Sequence, residues 1–322
     1  MVWRVTPTQL RAFVTVVRHG SVKNAAAELG VSEAAVSMHV AQLRGELDDR
    51  LFTRTASGLA FTPGGLRLAS RATELLGLQT RTILEVSQAA AGRRMLRLAA
   101  STLFAEYAAP GLLELFAARA DDLDVELSVA PPDRFVALLE SRAVDMTVGP
   151  RPVPMADTVV ATPFLNYQVA VVAAPDHPLA GATPRLDQLR DQVWLLGPSA
   201  AGPHGVVPEL LRHVGVPEAH ERIFQNHAAA LEEAKRGTGL AVAALFAVRA
   251  DLAKGHLVTI TTPGARAEGV WSATTLAGGQ APGPAAELAR FITTPRATQA
   301  MLRGAGVTIG RFRPSVHVTL WS

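Results

Sequence analysis

The sequence predicts an α/β chain in three parts. These are an N-terminal winged helix-turn-helix over 1–62, a long linker helix and hinge over 63–94, and a two-lobed α/β body over 95–322. Three observations carry this reading. Short amphipathic helical segments and a strand pair fill the first 62 residues, a helix-favouring stretch runs from Pro63 to about Ala91, and strand-like and helical runs alternate beyond it. Alternation of that kind marks a parallel sheet covered by helices.

Composition agrees with the division. A chain of 322 residues suits two or three domains at ~100–200 residues each. Apolar residues make up 48% and charged residues 18%, against a usual charged share of roughly 25%. A cored globule follows, and a disordered or collagen-like chain is excluded. Cysteine is absent, which rules out disulfides, thiolate metal sites and a cysteine nucleophile. The uncharged stretch Thr158–Pro175 contains Pro163, Asn166 and Gln168, so it reads as buried strand plus loop, whereas a spanning helix wants ~20 apolar residues. Gln9 and Arg11 precede the first short apolar run, which leaves no secretory signal pattern. The expectation is a cytoplasmic chain with no membrane partner.

Charge is uneven. Residues 1–95 hold 12 Lys+Arg against 7 Asp+Glu, and the remainder holds 19 against 21. A basic front end on a slightly acidic body points to a nucleic-acid-facing module.

Thr6-Pro7-Thr8-Gln9 opens the first helix with a cap, a proline in the first turn and a capping-box glutamine. Leu10, Phe13, Val14 and Val17 share one face, and Gly20 ends the segment. Ser21 caps a short second helix that buries Ala25, Ala26 and Leu29. In the turn Gly30-Val31-Ser32, glycine permits the positive φ of a sharp reversal, Val31 is expected to plug the core, and Ser32 caps the third helix. Val36, Val40, Leu43 and Leu47 define that helix's buried face, and Ala34, Met38, Ala41 and Gly45 the opposite one. A helix with a small, uncharged outer face enters a major groove closely. Leu51–Arg54 and Leu59–Thr62 flank Ala56-Ser57-Gly58, a hairpin wing whose Arg50 and Arg54 suit phosphate contact.

Gln9-Leu10-Arg11-Ala12-Phe13, His19-Gly20-Ser21, Asn24-Ala25-Ala26-Ala27, Leu29-Gly30-Val31-Ser32, Ala35-Val36-Ser37, Gln42-Leu43 and Leu51-Phe52-Thr53-Arg54 resemble the DNA-binding domain of LysR-type transcriptional regulators. Thr62-Pro63-Gly64-Gly65 resembles the start of that family's linker helix. The resemblance implies DNA contacts from Ser32, Glu33, Ala34, Ser37, Met38, His39, Gln42, Arg50, Arg54 and Thr62. Glu33-Ala34 stands where the family usually has Gln-Pro, and Met38 where it usually has Arg or Lys. Apolar contact of Ala34 and Met38 with thymine methyls, and acceptance from cytosine N4 by Glu33, fit those residues.

Along the linker, Ala69, Ala72, Leu76, Gln79, Ile83, Val86 and Ala90 follow a 3-4 repeat expected to form a seam with a second chain. A helix lying on its own body is the other reading. Ala91-Gly92-Arg93-Arg94 then breaks the helix as a hinge.

In the body, strands are expected at 96–100, 125–130, 146–149, 168–174, 193–196, 222–225, 240–244, 257–260 and 270–275, with helices at 105–119, 134–142, 285–294 and 297–303. Asp145–Gly149, Asp176-His177-Pro178-Leu179-Ala180, Gly237–Ala241 and the ending Phe291-Ile292 through Leu302 resemble the family's effector-binding domain, itself similar to type II periplasmic solute-binding proteins. Lobe I takes about 95–165 and 268–322, lobe II about 166–267. The tail from Gly306, with Val316, Val318 and Leu320 alternating, matches least and suits an added strand. In open α/β sheets ligands sit beyond the strand ends, against helix N-termini. That rule selects Ser101, Thr102, Pro150, Arg151, Ser199, Asn226 and His227, a set that favours a small anionic or polar acid. Ser101 and Thr102 equally suit helix capping, Arg151 a solvated loop, and His227 a satisfied cleft wall.

No Walker A sequence, His-Glu-x-x-His or third dinucleotide glycine appears, and Gly197–Ala201 is not a nucleophile elbow. Neither a cofactor nor an enzymatic role is expected. Two alternatives are a pure small-molecule binder, which the basic front end disfavours, and an enzyme on the two-lobed fold, which would need acid/base machinery. The resemblance implies a ligand-responsive regulator of double-stranded operator DNA, homotetrameric as a dimer of dimers, on a T-N11-A-type site.

Overall fold

The computed structural model describes residues 5–55, 58–90, 92–279, 281–303 and 316–319. It divides into two compact units, 1–87 with 140–143, and 88–139 with 144–322.

The front unit starts at α1 (Pro7–His19), where the capping box forms as its residues require: Thr6 accepts from the Gln9 N–H, and Gln9 Oε1 accepts from the Thr6 N–H at 2.7 Å. Helix α2 (Val22–Leu29) ends at Gly30 with φ 65°, and α3 (Glu33–Leu47) is capped by Ser32. Phe13, Val16, Ala25, Val36 and Leu43 close a core with Leu51 and Phe52. The wing pairs β1 (Phe52–Thr55) with β2 (Gly58–Phe61), Phe52 opposite Phe61. Residues 56 and 57 lie outside the described residues.

Two expectations are corrected here. Val31 does not plug the core. It is 47% exposed, because its N–H turns back to the Ala26 carbonyl while Val22, Ala25 and Ala26 fill the interior. The linker helix α4 (Pro63–Ala90) also uses its expected seam differently. Ala69, Ala72 and Leu76 pack into the winged-helix core. Leu66, Leu75, Leu78, Ile83 and Val86 are left as its exposed apolar side chains. The heptad pattern mixed one face that serves the chain's own core with another that does not.

The second unit is one ten-stranded sheet with order β12-β4-β3-β5-β11-β6-β9-β7-β8, and β10 beside β6. Lobe I holds β3 (Arg94–Ala100), β4 (Leu123–Val129) and β5 (Met146–Gly149), all parallel. Strand β12 (Val316–Thr319) adds to its edge in parallel with β4, while Leu320 lies outside the described residues. The expected helix 105–119 is two, α5 (Thr102–Tyr107) and α6 (Ala109–Ala117), broken at Ala108; the expected 134–142 forms a 3-10 turn and α7 (Phe135–Glu140).

Strand β6 (Val159–Ala173) departs furthest from expectation. It begins well before the expected 168 and runs antiparallel to β11 (Arg266–Leu276); at one end of this pair β11 bonds to β5 of lobe I, and at the other β6 bonds to the lobe II strand at 240–244. Pro163 suggested a break, yet it sits opposite Ser272 where a bulge shifts the register, a place that tolerates a missing N–H. Lobe II contains α8 (Leu186–Arg190), β7 (Trp194–Leu196), α9 (Val206–Val214), β8 (Glu221–Ile223), α10 (His227–Lys235), β9 (Leu240–Ala244), α11 (Arg249–Ala253) and β10 (Val258–Thr259). Helices α12 (Gly283–Ile292) and α13 (Pro295–Arg303) return to lobe I.

Aromatic residues are only 5% of the chain, yet they gather where the lobes meet. Trp271 stacks on Tyr167 at 4.2 Å and takes Phe104 edge-on at 5.0 Å and Phe246 at 5.8 Å. Each such pair adds about 0.5–1.5 kcal/mol beyond its burial. The cluster fixes α5, through Phe104, against the crossing strands.

Candidate nucleic-acid interface and ligand cleft

The outer face of α3 is free. Ala34, Met38 and Ala41 are exposed, as are Glu33 and Ser37, and Met38 keeps 51% of its surface open. Ser32 is exposed but its Oγ accepts from the Ala35 N–H at 3.2 Å. His39 is half-buried, its Nδ1 enclosed without a partner. Gln42 is exposed, and its Oε1 accepts from the Nε2 of buried Gln9 at 3.0 Å.

Arg50 is exposed beside the wing. Arg54 lies in β1, and its side chain is outside the described residues. Thr62 is committed to structure. Its hydroxyl donates to Asp49 at 2.7 Å and accepts from the Gly65 N–H at 2.9 Å, so it caps the linker helix. That hydroxyl, with the Leu51 N–H, holds the Asp49 carboxyl below the usual range.

Sequence reasoning passed over Arg44. Its guanidinium donates to the Phe52 carbonyl at 2.8 Å and lies 4.5 Å over that ring. It thereby ties the third helix to the wing. A groove of ≈ 420 Å³ beside them is lined by Ser37, Arg44, Arg50 and Thr53 among others, a mixture of hydroxyls and cations that suits a phosphate.

In the body, a cavity of ≈ 70 Å³ opens between the lobes, against roughly 300–1,000 Å³ for drug-sized ligands. Ser101, Thr102 and Pro150 line it from lobe I, and Ser199, His204 and the start of α9 from lobe II. Ser101 stands at the cap position of α5 but makes no capping bond. It is buried with its Oγ unpartnered. Arg151 is exposed and does not line the cavity, which no lysine or arginine reaches. Asn226 also stays outside it and caps α10, accepting from the Ala229 N–H at 2.8 Å.

His227 is 3% exposed and sits behind Ser199, its Nε2 2.7 Å from the serine Oγ. Its other nitrogen, Nδ1, pairs with Glu106 of α5, across the lobes. Glu106 also accepts from the His227 and Ala228 N–H groups, each at 3.1 Å, at the N-terminus of α10. Burial alone would raise its pKa. The hydrogen bond from the His227 ring and the two N–H groups outweigh that and hold the carboxyl below the usual range. Gly197 is required here, since any Cβ would strike the His227 ring.

Glu106 was not foreseen. The one available signal is that no other charged residue lies between Arg97 and Glu114. The connectivity is that of a serine–histidine–acid relay. Ser199, however, sits in a 3-10 turn rather than at a strand-to-helix elbow, and the acid comes from the opposite lobe.

Together these features describe a winged-helix DNA reader joined to a two-lobed small-molecule receptor. The chain matches the family models "Bacterial regulatory helix-turn-helix protein, lysR family" over 7–66 and "LysR substrate binding domain" over 89–295. It belongs to the LysR-type transcriptional regulators and is a transcription regulator, not an enzyme. It is 57% identical to the HTH-type transcriptional regulator Rv0377 of Mycobacterium tuberculosis, covering 99% of this chain and all of that one. In fold it is similar to ArgP from Mycobacterium tuberculosis, with a TM-score of 0.56, 17% identity, and 92% and 96% of the two chains covered. A Synechocystis CcmR regulatory domain in complex with 2-PG gives 0.52 and 23% over 62% of this chain and 95% of that one.

No helix among the described residues is long and apolar enough to cross a membrane.

Proposed function

We propose that this regulator reads operator DNA through Ser32, Glu33, Ala34, Ser37, Met38 and His39 on α3. Arg50 and Arg54 position it on phosphates, and its activity responds to a small polar or anionic acid in the interlobe cleft. One observation carries the proposal: the uncharged face over Ala34, Met38 and Ala41 is open to solvent, opposite the face that Val36, Val40 and Leu43 pack into the core. Thr62 serves that surface as a support, since its hydroxyl is already engaged, while exposed Gln42 keeps its amide Nε2 to offer a base or phosphate.

The action is cytoplasmic, where the operator is. The exposed Leu75, Leu78, Ile83 and Val86 of α4 support pairing of two chains, and a dimer of such dimers is the expected assembly. Pairing places two recognition helices on half-sites about one helical turn apart. Ligand closing the cleft shifts the population of domain arrangements in the oligomer and so the spacing of the paired heads. With no lysine or arginine among the described residues lining the cavity, Ser101, Thr102, Ser199, His204 and the first N–H groups of α9 are the contacts open to an acid; helix N-termini favour negative charge. The bound 2-PG of the CcmR domain makes that compound a first probe.

Fluorescence anisotropy against the protein's own upstream region tests the reading. Specific binding is expected to weaken steeply with salt, and Met38→Arg is expected to change the selected base opposite it. An unchanged consensus would remove Met38 from the readout. Binding no tighter than to random DNA would overturn the reading as a whole.

A further inference from the structure

Among the described residues, Glu106 is the only carboxylate hydrogen-bonded to the His227 ring, and it reaches the ring from the opposite lobe. An ionised carboxylate has no proton to give. The Nδ1 of a neutral His227 must therefore carry the hydrogen and donate it to Glu106. Its Nε2 is left with a bare lone pair. Ser199 Oγ, 2.7 Å away, can bond to that lone pair only by donating its one O–H. What Ser199 then presents to the cavity that it lines is lone pairs alone. The second group of α5 against the ring, Tyr107 at 6.0 Å between centroids, is kept protonated by burial.

We infer that Glu106 is a specificity-determining residue that makes Ser199 a hydrogen-bond acceptor. The cleft therefore selects a small acid that also carries a hydroxyl or ammonium donor, over the matching acid that offers only oxygen acceptors at that point. The inference rests on the proposed cleft reading and sharpens it. Glu106 acts through His227 and touches no ligand, so it is a positioning residue. It also belongs to lobe I while Ser199 and His227 belong to lobe II, so the serine has this polarity only while the two lobes are held together.

The test has two arms on the full chain at pH 8.5. Nitrogen-15 NMR of labelled histidines reads the tautomer directly. Beside the Nδ1-protonated rings that His220 and His256 contribute against the Arg190 carbonyl and Asp251, wild type is expected to show a further imidazole protonated at Nδ1 and bare at Nε2, absent from a His227→Gln variant that assigns it. Glu106→Gln is expected to lose that fixed pattern. A proton on Nε2 of wild-type His227, in either the other tautomer or the imidazolium, overturns the inference whatever binds in the cleft.

The second arm measures thermal shift and calorimetric affinity for lactate and pyruvate, which differ in one hydroxyl against one carbonyl. Wild type is expected to favour lactate by about tenfold or more, as a buried unpaired polar group would demand. Ser199→Ala and Glu106→Gln are each expected to cut that preference below about threefold. Equal affinity of wild type for the two acids overturns the inference. Binding of neither acid, nor of 2-PG, with the Nδ1 tautomer intact, takes down the small-acid reading and the preference that rests on it. It would leave the Glu106 relay as a structural tie.

Discussion

The winged-helix unit and the two-lobed body are held together over very different distances along the chain. In the first, Gln9 bonds to Gln42 across 33 positions, Thr62 to Asp49 across 13 and Arg44 to Phe52 across 8. In the second, Glu106 reaches His227 across 121, Gln168 reaches Glu268 across 100 and Arg94 reaches Glu287 across 193. A surface built by near neighbours holds its shape without help from elsewhere. A site closed by residues from opposite lobes exists only in one relation of those lobes, which is what a sensor requires. The molecule thus keeps its reading head locally determined and its receiver conditional.

Phe13→Ala puts the largest strain on that contrast. Phe13 is fully buried and stacked on Phe52 at 6.3 Å between ring centroids, and removing such a ring costs about 3–5 kcal/mol. Whole-domain stabilities are typically about 5–15 kcal/mol. Calorimetry is expected to show a much lower front-unit transition and lost DNA binding, with the body's transition in place. Both transitions falling together would break the comparison.

Glu106→Ala comes next and works in the other unit. It leaves the His227 ring and two N–H groups of α10 without their acceptor, a loss of about 1–3 kcal/mol expected in the body's transition alone. The pH dependence has a definite sign. Glu106 titrates lower when folded than the ordinary ~4.3 of the unfolded chain. Its contribution is therefore complete above that ordinary value and is lost as pH falls through the lower folded one. Urea midpoints of wild type should drop more steeply below about pH 4.3 than those of Glu106→Gln. Parallel acid limbs would deny Glu106 this role.

The same contrast explains what was legible in the sequence. Caps such as Thr6, Ser21 and Ser32 are local bonds, and the reach from cap to N3 can be read from four consecutive residues. The buried face of α3 follows from helical period alone. Glu106, Tyr167 and the start of α9 reach the cleft only through the tertiary path, and no local rule points there. Strand β6 was cut short because Pro163 and Asn166 look like breakers, whereas a bulge opposite Pro163 absorbs the missing donor. The first half of the linker's heptad went to the chain's own core for the opposite reason. Its period was read correctly as helical, but period does not say which face covers the chain's own core.

Ser32→Ala is expected to be smaller, about 1 kcal/mol. It removes the bond from the Ala35 N–H at the start of α3 and should lower the front-unit transition by a few degrees and relax base preference, since Ser32 is also proposed to read. An unchanged preference would leave Ser32 a cap alone.

The smallest effect is the sharpest check on where local reading fails. Val31 occupies the turn between α2 and α3, and a valine after glycine in such a turn invites a buried assignment. If it filled the core, Val31→Ser would forfeit roughly 1.5 kcal/mol or more of burial and add a hydroxyl in need of a partner. At 47% exposure the expected change is within about 0.5 kcal/mol, measured by urea unfolding of the front-unit transition. A loss several times larger in the isolated chain would restore Val31 to the core. A loss seen only in the DNA complex would instead make its exposed methyls part of the surface that meets the duplex.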